Sequence, residues 1–234
     1  MVETNDLSSP LSRHLEELRT YLLLPFVINA ILLIMIISFA SKLIIQLLET
    51  VNLDINELSA YSPAEYFRTK VYVSLVLSLI FVMPLWLLSI YNFAKPGLTA
   101  SEKKNMSFAF FTGLVFFVIG SVVGLYFLAP KLLDYMMSES EVVSPNLSVH
   151  ETIKVIISAS LFTGLLLTTP VITLIVNRVV DNKNDIRKYI YTLILFIAII
   201  ATPRPSMILN LIFLTAFVIV AEFTIFVERR FNGN

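Results

Sequence analysis

The chain contains no cysteine, which excludes disulfides, thiolate metal sites and cysteine nucleophiles and leaves the redox compartment open. Charge is also scarce. Only 15% of the 234 residues are charged while 57% are apolar, a balance that a water-soluble domain of this length does not tolerate. Seventeen basic and seventeen acidic residues cancel, so no net field points to nucleic acid, and the placement of each charge carries the information. The two histidines, His14 and His150, lie outside the long apolar runs, and no His-Glu-x-x-His pattern or pair of intramembrane aspartates is present. No catalytic residue, metal site or cofactor is expected. The segment Met1 to Ser9 lacks a basic stretch and a small-residue cleavage site, so no removable signal peptide is expected either.

What is present is apolar sequence in membrane-sized lengths. Runs from Leu22 to Phe39, Val71 to Phe93, Met106 to Leu128, Val155 to Val176, Tyr189 to Ala201 and Met207 to Val227 predict six spanning helices. The fifth, about 13 residues, covers only ~20 Å at 1.5 Å per residue and must thin the bilayer, hide against neighbouring helices or end below the surface. Thr202-Pro203-Arg204-Pro205-Ser206 follows it directly, and two prolines cannot continue a helix, so helices five and six form a short hairpin. The whole chain, 1–234, is read as one integral membrane domain: 1–21 a cytoplasmic N-terminal region, 22–227 the six-span bundle, 228–234 a cytoplasmic tail.

Lysine and arginine set the orientation. One side collects Arg13, Arg19, Lys95, Lys103, Lys104, Arg178, Lys183, Arg187, Lys188, Arg229 and Arg230; the other has Lys42, Arg68, Lys70, Lys131, Lys154 and Arg204. The richer side is expected to be cytoplasmic, and it holds both termini. The outer segments Ile44 to Lys70 and Pro130 to Lys154 carry most of the exterior acid and are expected to form a small external cap.

Three tetrapeptides, Ser62 to Glu65, Thr99 to Glu102 and Ser148 to Glu151, place a hydroxyl three residues before a carboxylate and mark the starts of helices two, three and four. Ser9-Pro10 similarly starts an amphipathic N-terminal helix with Leu11, Leu15, Leu18 and Leu22 on one face, lying in the cytoplasmic interface. Pro25, Pro84 and Pro170 fall inside spans and invite bends. Gly120 and Gly124 have the spacing of close helix packing, more often internal than dimeric. Glu222 is the one carboxylate well inside a predicted span; either it marks a transport pathway or it bonds a hydroxyl or backbone group and fixes its helix.

The chain resembles the TatC family, the multispanning core component of the twin-arginine protein translocase. The resemblance rests on His14-Leu15-Glu16-Glu17-Leu18-Arg19 before the first span, Ser62-Pro63, Phe93-Ala94-Lys95-Pro96-Gly97-Leu98 with Glu102 after it, Pro170, and Thr202-Pro203. It implies an all-α membrane protein, a bent and cupped bundle that recognises folded cargo by a signal peptide with two consecutive arginines. Guanidiniums are always charged and pair best with carboxylates through forked hydrogen bonds, and the resemblance assigns that role to Glu17 and Glu102. It casts His14, Leu15, Leu18, Arg19, Phe93, Pro96 and Leu98 as residues that shape the site. Each carboxylate also has a local alternative: Glu102 as the third residue after an N-cap Thr99, Glu17 as an ion-pair partner of Arg13 four residues back. Lys103 and Lys104 point about 100° and 200° around the helix from Glu102, toward lipid phosphates.

The resemblance further implies a multimeric complex in the prokaryotic cytoplasmic membrane with TatA- and TatB-like single-span partners, driven by the protonmotive force. Thr168, Thr169 and Glu222 are candidate docking residues for those partners. The chain departs from many relatives at Tyr21, where a second arginine is common, at Thr168, where a glutamate or glutamine is common, and at Arg204, near which an acid is common. The competing reading from another class is a secondary transporter for a small solute, for which the paired halves and midplane site are not found.

Overall fold

A computed structural model describes residues 9–53, 58–59, 61–97, 99–138, 147–179, 186–201 and 207–232. These are almost entirely helical: α1 (Ser9–Thr50), α2 (Pro63–Ala94), α3 (Ala100–Val123), a π-helical segment (Gly124–Leu128), α4 (Ala129–Ser138), α5 (Val149–Val179), α6 (Ile186–Ala201) and α7 (Met207–Asn232). Two very short strands, β1 (Leu58–Ser59) and β2 (Leu147–Ser148), pair in parallel with Leu58 opposite Leu147. Five stretches among the described residues are long and apolar enough to cross a membrane: Glu16–Thr50, Pro63–Phe93, Met106–Met137, Val149–Val176 and Leu211–Glu228. The sixth apolar helix, α6, has 16 residues, about 24 Å, longer than the 13 expected yet still short of a full crossing.

The helices outrun their apolar runs. The N-terminal segment expected to lie apart as an amphipathic helix continues without a break into the first span, through a fully buried Pro25. Pro84 and Pro170 likewise sit inside α2 and α5. At the other end of the third span, the π segment carries α3 into α4, so much of the second outer segment is helix. The expected 202–206 turn lies outside the described residues.

The chain divides into two compact units, Met1–Ile44 with Phe67–Asn105, and Ile45–Tyr66 with Met106–Asn234. In the first, α1 meets α2 where the ring of Tyr21 stands edge-on to Phe93, centroids 6.5 Å apart. The most apolar window of α1 is only 6% buried. Side chains such as Phe26, Ile34 and Phe39 point outward, as lipid-facing residues do.

The second unit is organised around α5, whose corresponding window is 56% buried. On one side its Phe162 stacks on Phe213 at 3.8 Å between centroids and meets Phe217 edge-on at 5.3 Å. Ile190 and Ile194 of α6 and Ala221 and Ile225 of α7 close this cluster. On the other side α5 lies against α3 with almost nothing between the backbones. A Cβ at Gly120 would stand 2.6 Å from the Thr163 carbonyl oxygen, and one at Gly124 would stand 2.7 Å from that of Ala159. Only glycine admits such an approach. The small-residue spacing read from the sequence is therefore internal packing, reinforced by the Ser160 hydroxyl donating to the Ser121 carbonyl at 2.8 Å.

The two outer helix starts in this unit are tied together. The Ser62 hydroxyl accepts from the Glu65 amide at 3.2 Å and the Ser148 hydroxyl from the Glu151 amide at 3.3 Å, so both serines are the N-caps their spacing predicts. The Glu65 carboxylate accepts from the Tyr61 amide at 2.9 Å and, across to the start of α5, from the Ser148 hydroxyl. With the β1–β2 pairing, this joins the two segments that the sequence reading expected to form a cap.

Candidate functional site

The first unit carries a concave end built by one sharp turn. α2 ends at Ala94: Pro96 lacks the amide proton that another helical hydrogen bond needs and Gly97 follows it, and the chain leaves in a single 3-10 turn, Lys95–Gly97. α3 restarts at Ala100, its first turn closed by the Lys103 amide donating to the Thr99 carbonyl at 3.0 Å. Beside this turn lies an open groove of about 560 Å³ lined by Tyr21, Asn92, Lys95, Pro96 and Lys103. Phe93 holds its α1 wall in place through the ring contact with Tyr21.

Glu16, Glu17 and Arg19 are exposed on α1, within two turns of Tyr21, and Leu18 is half-buried. Glu102 is the third residue of α3, in the same unit. The side chains of Glu102, His14 and Leu15, and Leu98 as a whole, lie outside the described residues. Of the residues singled out from the sequence, Pro96 thus lines the groove, Phe93 braces it, and Glu17 and Arg19 stand exposed on the helix that forms one wall.

Three lining residues had no place in the sequence reading of the site. Asn92 belongs to no motif, Lys95 stood in the Phe93-to-Leu98 motif without a role of its own, and Lys103, read from helical angles as facing lipid phosphates, lines the groove half-buried. The usable signal was Pro96-Gly97: a turn this tight brings the last residues of α2 and the first of α3 to one place.

The residues considered for partner docking lie in the second unit. Thr169 is 3% exposed and its hydroxyl donates to the Leu165 carbonyl at 3.0 Å. Thr168, half-buried, donates to the Gly164 carbonyl at 2.8 Å. Both hydroxyl protons are thus used within α5, leaving oxygen lone pairs as the remaining capacity. Glu222 of α7 is held by α6: Arg187 donates to one carboxylate oxygen at 2.9 Å and the Tyr191 hydroxyl to the other. Of the two readings of this carboxylate, the hydroxyl-bonded one describes it, with an ion pair added. Arg187 is the second residue of α6, so the pair lies near the N-terminal end of that helix. Among the described residues no cluster of histidine and carboxylate groups could hold a metal ion.

Comparison with known proteins agrees along almost the whole chain. A sequence model of the family described as "Sec-independent protein translocase protein (TatC)" matches residues 13–216. The chain is 26% identical over 229 residues to the Sec-independent protein translocase protein TatC of Methanocella arvoryzae, covering 96% of this chain and 95% of that one. It is 24% identical over 225 residues to the protein TatCy of Bacillus subtilis, 94% of this chain and 88% of that one. A crystal structure of the twin arginine translocase receptor TatC superposes with a TM-score of 0.72 at 21% identity, covering 92% of this chain and 98% of that one, which establishes a shared fold. The matched span includes both the Glu17 segment and the Pro96 turn, and the chain belongs to the TatC family of Sec-independent, twin-arginine protein translocase components.

Proposed function

We propose that this translocase component is the receptor of its complex: it binds Arg-Arg signal peptides of folded proteins and scaffolds the assembly that exports them. Glu17 and Glu102 hold the arginine pair at the cytoplasmic surface, and the signal's apolar segment lies along the lipid-facing helices. The chain spans the cytoplasmic membrane of a prokaryote with both termini inside. His14, Leu15, Leu18, Arg19, Phe93, Pro96 and Leu98 shape the site rather than pair with the signal; a cationic signal is repelled by Arg19 directly.

The observation that supports this reading is that α1 beyond Glu17 and the Pro96 turn that leads to Glu102 belong to one compact unit, joined by Tyr21 on Phe93. Carboxylates carried on two helix segments fit two adjacent guanidiniums better than one acidic stretch does, because each forked pair needs its own approach direction. TatA- and TatB-like single-span proteins complete the passage in a multimeric complex driven by the protonmotive force. They dock on the second unit near Thr168, Thr169 and the Glu222 pair, where the short α6 favours association by thinning the bilayer. The chain works by binding and has no catalytic chemistry of its own. With Glu222 paired to Arg187, the solute-transporter reading loses its one supporting residue.

The test uses photo-crosslinking probes at Glu16 and Thr20, which flank Glu17 and leave both proposed carboxylates intact. A signal peptide with Arg-Arg is expected to crosslink several-fold more than one with Lys-Lys, since lysine lacks the forked geometry. Equal crosslinking of the two peptides, or none of either, refutes the assignment.

A further inference from the structure

We propose that the groove at the Lys95–Gly97 turn seats the phosphate headgroup of an anionic phospholipid. Its described lining offers the ammonium groups of Lys95 and Lys103, the side-chain amide of Asn92 and the hydroxyl of Tyr21 beside a proline, with no carboxylate among the described lining residues. Among the described residues neither lysine has an ion-pair partner. Two unpaired cations facing one concavity repel each other, and an anion between them turns that repulsion into two attractions. Lysine acts on phosphate as a compact point charge, so it suits a phosphodiester that need not be held in a forked geometry.

The surroundings choose a lipid over a soluble phosphate. Tyr21 is 42% exposed at the groove, with its ring on Phe93, the position of an aromatic residue at a membrane interface. About one turn further into the helices, Leu24 of α1 and Leu88 of α2 are exposed and apolar, so acyl chains attached to the phosphate gain contacts that a free anion does not. The groove's own cations carry this assignment, which does not depend on signal-peptide binding. Where both hold, the bound phosphate neutralises two lysines that otherwise oppose an arginine pair at nearby Glu17.

The experiment measures lipid retention by native mass spectrometry of the full chain, released from bilayers of phosphatidylcholine with graded phosphatidylglycerol and no signal peptide present. Losing about fivefold in affinity per lysine near the surface, Lys95→Gln with Lys103→Gln is expected to weaken phosphatidylglycerol binding roughly thirtyfold. Lys95→Arg with Lys103→Arg keeps it, and Lys42→Gln with Lys131→Gln, which removes the same charge from exposed positions elsewhere, leaves it unchanged. Retention unaffected by the groove pair, or lowered equally by the control pair, overturns the proposal. So does displacement of the lipid by soluble glycerol phosphate at matching concentration, which makes this a free-anion site. Because the signal peptide is absent, failure here leaves the crosslinking result standing, and failure there leaves this one standing.

Discussion

Alanine at Gly120 is expected to destabilise the protein, although alanine is the better helix former. Two effects oppose each other. Replacing a helical glycine gains about 1 kcal/mol in propensity. Against it, the new Cβ would stand 2.6 Å from the Thr163 carbonyl oxygen and 2.8 Å from the Gly164 Cα, whereas carbon contacts are optimal near 3.5–4.0 Å. Both obstacles are backbone, so no side chain can swing aside and α3 must move off α5 by roughly 1 Å. That motion gives up close contact along the seam and strains the Ser160-to-Ser121 bond, worth ~1 kcal/mol, on top of an overpacking cost of about 1–3 kcal/mol. The net loss is about 2 kcal/mol. For a chain of this size that lowers the melting midpoint by ~4–8 °C. Gly113 supplies the control, since a Cβ there meets only Thr168 Cγ2 at 3.6 Å and Val171 Cγ1 at 3.8 Å, ordinary contact distances. Gly113→Ala is expected to be neutral or slightly stabilising. Thermal unfolding of purified variants in mild detergent, followed by circular dichroism, reads both. If Gly120→Ala melts together with Gly113→Ala, the close backbone approach is not what holds α3 on α5.

Three further outcomes follow from named contacts. Glu65→Gln and Ser148→Ala should each cost about 1–3 kcal/mol, the range for a charge-assisted bond and the group it leaves unmatched, and should speed amide exchange at residues 58–65 and 147–151 together; exchange that rises at one segment alone shows that the cap is not a unit. Glu222→Gln should cost less than ~1 kcal/mol, because Arg187 is 49% and Glu222 34% exposed and screening discounts the pair. Tyr191→Phe should cost a similar amount, and a loss of several kcal/mol from either indicates that the pair is far drier than its exposure implies. Replacing Glu17 and Glu102 together by glutamine should flatten the ionic-strength dependence of Arg-Arg peptide binding measured between low and ~0.1 M salt, where screening sets in near 10 Å; an unchanged slope places the charge recognition elsewhere.

Much of the fold was legible because a membrane protein advertises its elements. Apolar runs of span length, Ser62 and Ser148 as caps, and the too-short fifth run all correspond to helices or helix starts in the structure. Element ends were less legible. Hydropathy registers where a helix meets lipid, not where its hydrogen bonding stops, so α1 continued to Ser9 on one side and Thr50 on the other, and the third span continued through a π segment into α4. For the site, the motif positions of Glu17 and Pro96 could be read directly. Asn92, Lys95 and Lys103 could not, because their proximity to Tyr21 results from a chain reversal and leaves no periodic trace.

The sequence alone determined that this is a helical membrane protein, since the energetic demand of hydrocarbon on length and charge is local, and its motifs carry the resemblance to the TatC family. It also determined which ends of the helices carry acid and base. Tertiary structure decided which small residues are structural, by bringing Gly120 and Gly124 against the α5 backbone, and which partner satisfies Glu222. It decided, too, that two lysines share one groove with Tyr21. These are pairings between distant segments, set by packing geometry, and composition and spacing do not encode them.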